Sequence, residues 1–431
     1  MTKLNSRKDY VISIFIIGIL YFVFGFITWL NSTLIPFLKT SCELNNTQAY
    51  FVTLAFYISY FVMALPSSWV LKKTGFKGGM SFGLIIMAIG SLMFIPAAIT
   101  RTYGLFISGL FIQGTGLCIL QTAVNPYVTI LGPIESAAKR ISIMGICNKI
   151  AGFMGPLVLS AIVLKNFEAI ETQLNLTVIP TEKEILLSNL AERVIFPYII
   201  IAALLLILAF FIKLSPIPDI DISAENGNND AQEEKTSILN FPHLLLGFVA
   251  IFLYVGAEVI SIDTITLYGK SQGVLMDNAR LYPLMPLFGM VIGYILGIIL
   301  IPKYINQGKA LGISAILALI FSLLAVYTNG FTSVLFIAAL GFANAIMWPA
   351  IWPLAINGLG KFTKSGSAIL IMGIAGGATI PLLYGRLVDI SSIGSQQAYL
   401  ILLPCYLFIL YYAYKGHKVG LNKKNVNFMA N

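Results

Sequence analysis

Twelve apolar runs follow one another along this chain, the first opening at Tyr10 and the last closing at Tyr414, and most are joined by short polar turns. A helix needs roughly 20 apolar residues to cross hydrocarbon, and these runs are continuous, without the polar–apolar alternation of a barrel strand. The expected fold is therefore an all-α membrane protein of twelve transmembrane helices. Charge agrees with this: 10% of the 431 residues are charged and 58% are hydrophobic, too little charge to cover a soluble protein of this length.

The spans are read at Tyr10–Phe37, Thr47–Leu71, Gly79–Ile99, Tyr103–Leu131, Ile141–Leu164, a sixth run that follows a polar loop and ends near Lys213, then Phe241–Tyr268, Leu281–Ile301, Ala310–Tyr327, Ser333–Leu359, Ser365–Val388 and Ala398–Tyr414. One long acidic, apolar-poor segment, with Asp219, Asp221, Glu225, Asp230, Glu233 and Glu234, interrupts the series. It suits a flexible tether rather than a domain. The chain then divides into an N-terminal six-helix half, 1–214, a cytoplasmic linker, 215–238, and a C-terminal half, 239–431. Of the 27 Lys and Arg, 18 fall on the side of the termini, 8 on the other, and Lys149 lies within a span. That bias places both termini in the cytoplasm. Six plus six spans around an inner tether suit a secondary transporter that rocks about a midplane site.

Other function classes lack their chemistry. The net charge of +9 resides in loops, where it sets orientation, and no nucleic-acid module is visible. Cys118, Cys147 and Cys405 lie in apolar runs, and with Cys42 they show no metal-ligand spacing. The two histidines, His243 and His417, sit at the tether end and in the tail. Neither a nucleophile–base pair nor a metal cluster can be assembled from these residues, so no enzyme, no cofactor and no metal are expected. A receptor with a folded output domain finds no room in the tether or tails.

The informative residues are the polar ones inside spans. Gln121 and Asn125 share one face of span 4 at i and i+4; an unsatisfied amide in hydrocarbon is costly, so this face should look into protein or a wet cavity. Interhelical glue, worth about 0.6 kcal/mol per bond, and a lined pathway both satisfy that condition. Asn31 and Ser32 lie near the outer end of span 1, and Asn148 and Lys149 lie well inside span 5. Glu258 and Asp263 belong to span 7, with Asp263 nearer the outer surface and on a partly different face. Intramembrane ionisable groups mark a pathway or relay by default. Glu258 can be protonated, wetted or paired, and Lys149 can supply the counter-charge or snorkel to a wet interface. Trp29, Trp348, Trp352 and Tyr127 can stack on a pyranose while Asn31, Gln121, Asn125 and Asn148 bond its hydroxyls, the pairing of amide and aromatic that a neutral sugar requires. Glycine runs in spans 8 and 11 read as close helix crossings.

The motifs FGFITWLNSTLIPFL, LQTAVNPYVTILGP followed by ESAAKR, YVGAEV and WPAIWPLAINGLGKFTKSGSAILIMGIAGGA together resemble the fucose-permease family of the major facilitator superfamily, through nearly the whole chain. YVGAEV and LQTA are most similar to its glucose/galactose branch. The resemblance implies two pseudosymmetric six-helix halves, alternating access, and uptake of a hexose or 6-deoxyhexose coupled to a cation, usually a proton. It also implies a monomer in the lipid bilayer of a bacterial inner (plasma) membrane. Asn148 matches the family's span-5 asparagine. Three positions depart: Ser32 and Gln121 stand where the fucose branch has carboxylates, and Tyr294 where members commonly carry arginine. Lys149 has no counterpart in the pattern. Removing buried carboxylates together with a buried arginine avoids stranding an unpaired charge. The expected sugar contacts are Asn31, Gln121, Asn125, Asn148, Glu258, Trp29, Trp348 and Trp352, and the expected coupling groups are Glu258, Lys149 and Asp263, with Glu258 as the main titrating or cation-sensing group. The alternatives are a sodium-coupled symporter, a uniporter, or a carrier of an amino sugar.

Overall fold

A computed structural model describes residues 7–130, 137–215, 237–301, 304–359 and 362–421. Twelve helices are long and apolar enough to cross a membrane: Val11–Ser41, Asn46–Ser67, Lys73–Ile99, Tyr103–Asn125, Ile143–Val163, Pro180–Leu214, Pro242–Asp263, Met276–Leu300, Gln307–Tyr327, Gly330–Ile356, Ala368–Asp389 and Gly394–Tyr414. They are numbered below as spans 1 to 12. No strand occurs among the described residues. The acidic tether lies almost wholly outside them.

Span 1 packs along span 5, spans 2 and 3 along span 4, and span 6 against that group. In the second set, span 10 runs beside spans 8 and 9, and span 7 beside spans 11 and 12. Span 2 meets span 11 and span 5 meets span 8, which joins the two sets. Outward faces such as Phe196, Leu204, Phe210 and Phe211 of span 6 are exposed apolar surface, as a lipid-facing helix requires.

Glycine sets the closest crossings. A Cβ on Gly25 would lie 1.8 Å from the carbonyl oxygen of Asn148, and one on Gly376 would lie 1.7 Å from that of Phe252. Spans 1 and 5, and spans 7 and 11, therefore touch backbone to backbone.

Two connections differ from the sequence reading. Within the basic turn after span 2 the helical path is kept except at Gly75, whose φ of 69° and ψ of 179° turn the chain where only glycine does so without strain. The polar stretch between spans 5 and 6 is largely helical: Phe167–Leu176 precedes span 6, and Pro180–Glu192 forms its first, polar part. Pro180 opens the second one with its fixed φ, and Glu182 meets the positive end of the helix dipole.

Among the spans that are not one unbroken helix, three kink close to polar residues. Span 1 is built from Arg7–Trp29 and Asn31–Ser41, and span 7 continues past Thr264 as Ile265–Ser271. Span 10 is built from Gly330–Asn344 and Met347–Ile356; Pro349 has no N–H to offer the carbonyl of Ala345, four residues earlier, which accounts for that break.

Candidate functional site

Spans 1, 5 and 7 meet at one charged centre. Lys149 Nζ lies 2.8 Å from Glu258 Oε1, with the two residues 7% and 6% exposed. The ammonium also sits 4.7 Å from the ring centroid of Trp29, where the negative face of the indole favours a cation. Trp29 reaches this position because Gly152, one turn beyond Lys149, has no side chain; a Cβ there would fall 2.2 Å from the indole Cδ1. Of the two options open for Lys149, the structure shows the pair rather than snorkelling. Glu258 has Tyr57, Tyr254, Tyr294 and Tyr406 within electrostatic reach, from spans 2, 7, 8 and 12.

The amides Asn125 and Asn148 of spans 4 and 5 meet Tyr21 of span 1, and Gln121 reaches span 2. The Tyr21 hydroxyl donates to Asn125 Oδ1 at 2.7 Å, and Asn148 Nδ2 donates to the Tyr21 carbonyl at 3.3 Å. Gln121 Nε2 donates to the Tyr60 hydroxyl at 2.9 Å. Gln121, Asn125 and Asn148 are held across helices by these bonds and remain half-buried rather than sealed. Tyr21 and Tyr60 were not legible as site residues, because a tyrosine in an apolar run reads as packing.

Asn31 is 1% exposed and neither of its amide atoms has a hydrogen-bond partner. Ser32 turns its hydroxyl back to the Trp29 carbonyl at 2.8 Å and serves the helix itself. Asp263, further along span 7 than Glu258, is wholly buried, with both carboxylate oxygens unpartnered.

Trp348 and Trp352 stack with centroids 5.3 Å apart and rings tilted by 27°. Both are half-buried, and Tyr254, one turn before Glu258, lies 6.4 Å from Trp348. An aromatic wall thus stands beside the charge pair. Tyr127 does not join it: it is fully buried, edge-on to Phe76 at 6.1 Å. Tyr294 packs on the small cluster that contains Trp29 and Met290. Among the described residues no three His, Cys, Asp or Glu side chains gather as metal ligands; the chemistry available is hydrogen bonding, stacking and charge pairing.

The end of the bundle opposite the termini is tied across the two sets of spans. Asp389 of span 11 accepts from Asn46 Nδ2 at 2.7 Å and from the Thr47 N–H at 2.8 Å. Lys270 pairs with Glu171, Glu168 accepts from the Met276 N–H at 3.0 Å, and Arg280 donates to the Leu164 carbonyl at 3.1 Å. Just inside these ties lies a cavity of about 390 Å³ whose lining includes Lys39, Tyr50, Tyr268, Lys270 and Tyr384.

Residues 17–382 match the family model of the Major Facilitator Superfamily. The chain is 35% identical to the glucose/galactose transporter of Brucella abortus over 421 residues, 97% of each chain. It is 28% identical to the L-fucose-proton symporter of Escherichia coli K12, covering 95% of this chain and 94% of that one. A crystal structure of the Major Facilitator Superfamily transporter FucP in its outward conformation superposes with a TM-score of 0.71 at 28% identity, covering 94% of this chain and 98% of that one.

Proposed function

This chain belongs to the Major Facilitator Superfamily, and on that premise we propose that it imports a neutral hexose or 6-deoxyhexose by symport with a cation, a proton in the first reading. The relatives named as glucose/galactose and L-fucose-proton carriers support the substrate class and the coupling. The observation that carries the reading is the charge centre. A Lys149–Glu258 pair bridges the two sets of spans, with an aromatic wall of Trp348, Trp352 and Tyr254 on one side and the Tyr21, Asn125 and Asn148 cluster on the other.

In this mechanism residues 1–214 and 239–431 act as two halves that rock about the centre, joined by the linker 215–238. A sugar entering beside the stacked tryptophans offers hydroxyls to Glu258, Gln121, Asn125 and Asn148, with Trp29 and Asn31 on the span-1 side. Its bonds to Glu258 compete with Lys149, so occupancy of the site and the contact between halves are linked. Lys149, Glu258 and Asp263 are the coupling groups. The excess of Lys and Arg on the side of the termini supports a cytoplasmic placement for both of them in a bacterial plasma membrane. The ties at the opposite end hold the two halves together on the side that this reading places outside. The working unit on this reading is a monomer.

The test is uptake by the purified protein in proteoliposomes. Labelled glucose or galactose should exchange by counterflow without a gradient and accumulate when the outside is made acidic, with excess fucose and amino sugars ranking the specificity. Absence of counterflow for every hexose tried would remove the sugar reading. Neutral Ser32 and Gln121, where the family resemblance implies carboxylates, favour a second reading: coupling to sodium, or none, which the same assay with a sodium gradient separates.

A further inference from the structure

The ion pair accounts for one of the two carboxylates of span 7 and leaves the other. Asp263 is 0% exposed, and neither of its carboxylate oxygens has a hydrogen-bond partner in the protein. The charged side chain within its reach is Glu258, of the same sign, while Lys149 is already engaged by Glu258. A buried carboxylate left in this condition is strongly unfavourable as an ion, so a fold that keeps it must bring a positive charge to it at some stage of the cycle.

Other oxygens nearby share the condition. Thr266, three residues on, is 1% exposed with its hydroxyl unpartnered, and so is the hydroxyl of Tyr57, which lies within electrostatic reach of Asp263. Asn31, also unpartnered, opens the segment of span 1 that packs against span 7. Tyr50 of span 2 faces the same carboxylate. Each such group left unsatisfied costs about 1–3 kcal/mol; Thr266 follows Asp263 by three residues, and Tyr50 and Tyr57 lie within its electrostatic reach. Just after Asp263 the helix kinks at Thr264, whose backbone stays helical, before continuing as Ile265–Ser271.

We propose that Asp263, with Thr266 and Tyr57 beside it, is the site that takes the coupling cation, a monovalent ion held through oxygen and separate from the Lys149–Glu258 pair. This rests on the symport reading and adds to it the place where the cation sits. A proton binds the carboxylate alone, whereas a bare sodium ion also draws on the neighbouring oxygens. The two sources therefore differ in what Thr266 contributes.

Cation binding is read first, without sugar, as thermal unfolding of the purified full chain in detergent, titrated with sodium chloride against choline chloride and, separately, with pH. A ligand of the folded state raises the unfolding temperature as its concentration rises. The wild type should be stabilised either by sodium or by added protons, the latter opposing the acid loss due to His417, and Asp263→Asn should lose that stabilisation. Accumulation of sugar by Asp263→Asn proteoliposomes should fall to the equilibrium level under both sodium and proton gradients. Thr266→Val keeps the shape and removes one oxygen. It should raise the half-saturating sodium concentration about threefold or more if sodium is the ion, and leave the pH response unmoved if the proton is. Should Asp263→Asn fail to fold, Asp263→Glu, which keeps the charge and moves it, should shift the cation half-saturation while the response persists. A wild type indifferent to both cations, or an Asp263→Asn protein with undiminished response and accumulation, overturns the proposal. Wild-type counterflow, measured separately, reports on the sugar reading alone.

Discussion

Asp389, on the last turn of span 11, accepts a hydrogen bond from the backbone N–H of Thr47 at 2.8 Å, and Asn46 Nδ2 donates to the same carboxylate at 2.7 Å. A carboxylate of the second half thereby caps the start of span 2 in the first, at the positive end of a helix. The side chain is exposed, so the contact is a modest latch rather than a buried lock.

Asp389→Ala should favour opening of this end. With about 1 kcal/mol lost, the open population should rise about fivefold. A cysteine placed at Thr40, which lines the cavity just inside, should then react correspondingly faster with a membrane-impermeant maleimide. An unchanged labelling rate would show that the cap does not bear on closure.

Lys149 and Glu258 should behave as one unit. Removing the ammonium by Lys149→Met leaves a buried carboxylate without its partner and should cost about 3–5 kcal/mol of stability, whereas Lys149→Met combined with Glu258→Gln should recover most of it. Thermal unfolding of the four proteins of this cycle in detergent gives the coupling. Additive losses would mean that the 2.8 Å contact is not an energetic pair.

The spans were legible because lipid permits only long, continuous apolar runs, and all twelve appear where hydropathy placed them, though with shifted ends. The chemistry of Lys149 and Glu258 was legible for a related reason: each charge is too costly alone, which made each the natural partner of the other. Burial was harder: position along span 7 says how far Asp263 lies from the end of the run, whereas its complete enclosure, with Tyr50 and Tyr57 of span 2 nearby, comes from packing that sequence order does not show. The same holds for Tyr21 and Tyr60, whose hydroxyls find Asn125 and Gln121 only through tertiary packing. Tyr127 shows the opposite error: its neighbourhood in sequence suggested a ligand contact, and Phe76 covers it instead.

Two amides of span 4 separate glue from pathway. Gln113 is 1% exposed and donates to Ser91 Oγ at 2.7 Å, a closed interhelical bond, whereas Asn125 is half-buried beside Tyr21. Gln113→Leu should therefore lower thermal stability with little change in the apparent sugar KM. Asn125→Ala should raise KM about tenfold, the scale of one lost hydrogen bond to substrate. Equal effects on KM would put both residues in the same class.

His417, in the turn after span 12, should make the protein less stable in acid. It is 4% exposed, and its Nδ1 lies 2.9 Å from the Tyr412 carbonyl oxygen. Burial pulls its pKa below the ordinary value of 6.5; the bond to the Tyr412 carbonyl opposes this, and the nearby Lys418 adds to it. The unfolded chain then binds a proton at a higher pH than the folded one. Above about 6.5 both states are neutral and the residue contributes no pH dependence. Below it the unfolded state gains the proton first, and stability falls until the folded value is passed. The unfolding temperature of the wild type should drop between pH 7.5 and pH 5.5 by more than that of His417→Gln, which keeps a polar side chain without titrating. Parallel curves for the two proteins would show that the ring is charged as readily in the fold as outside it.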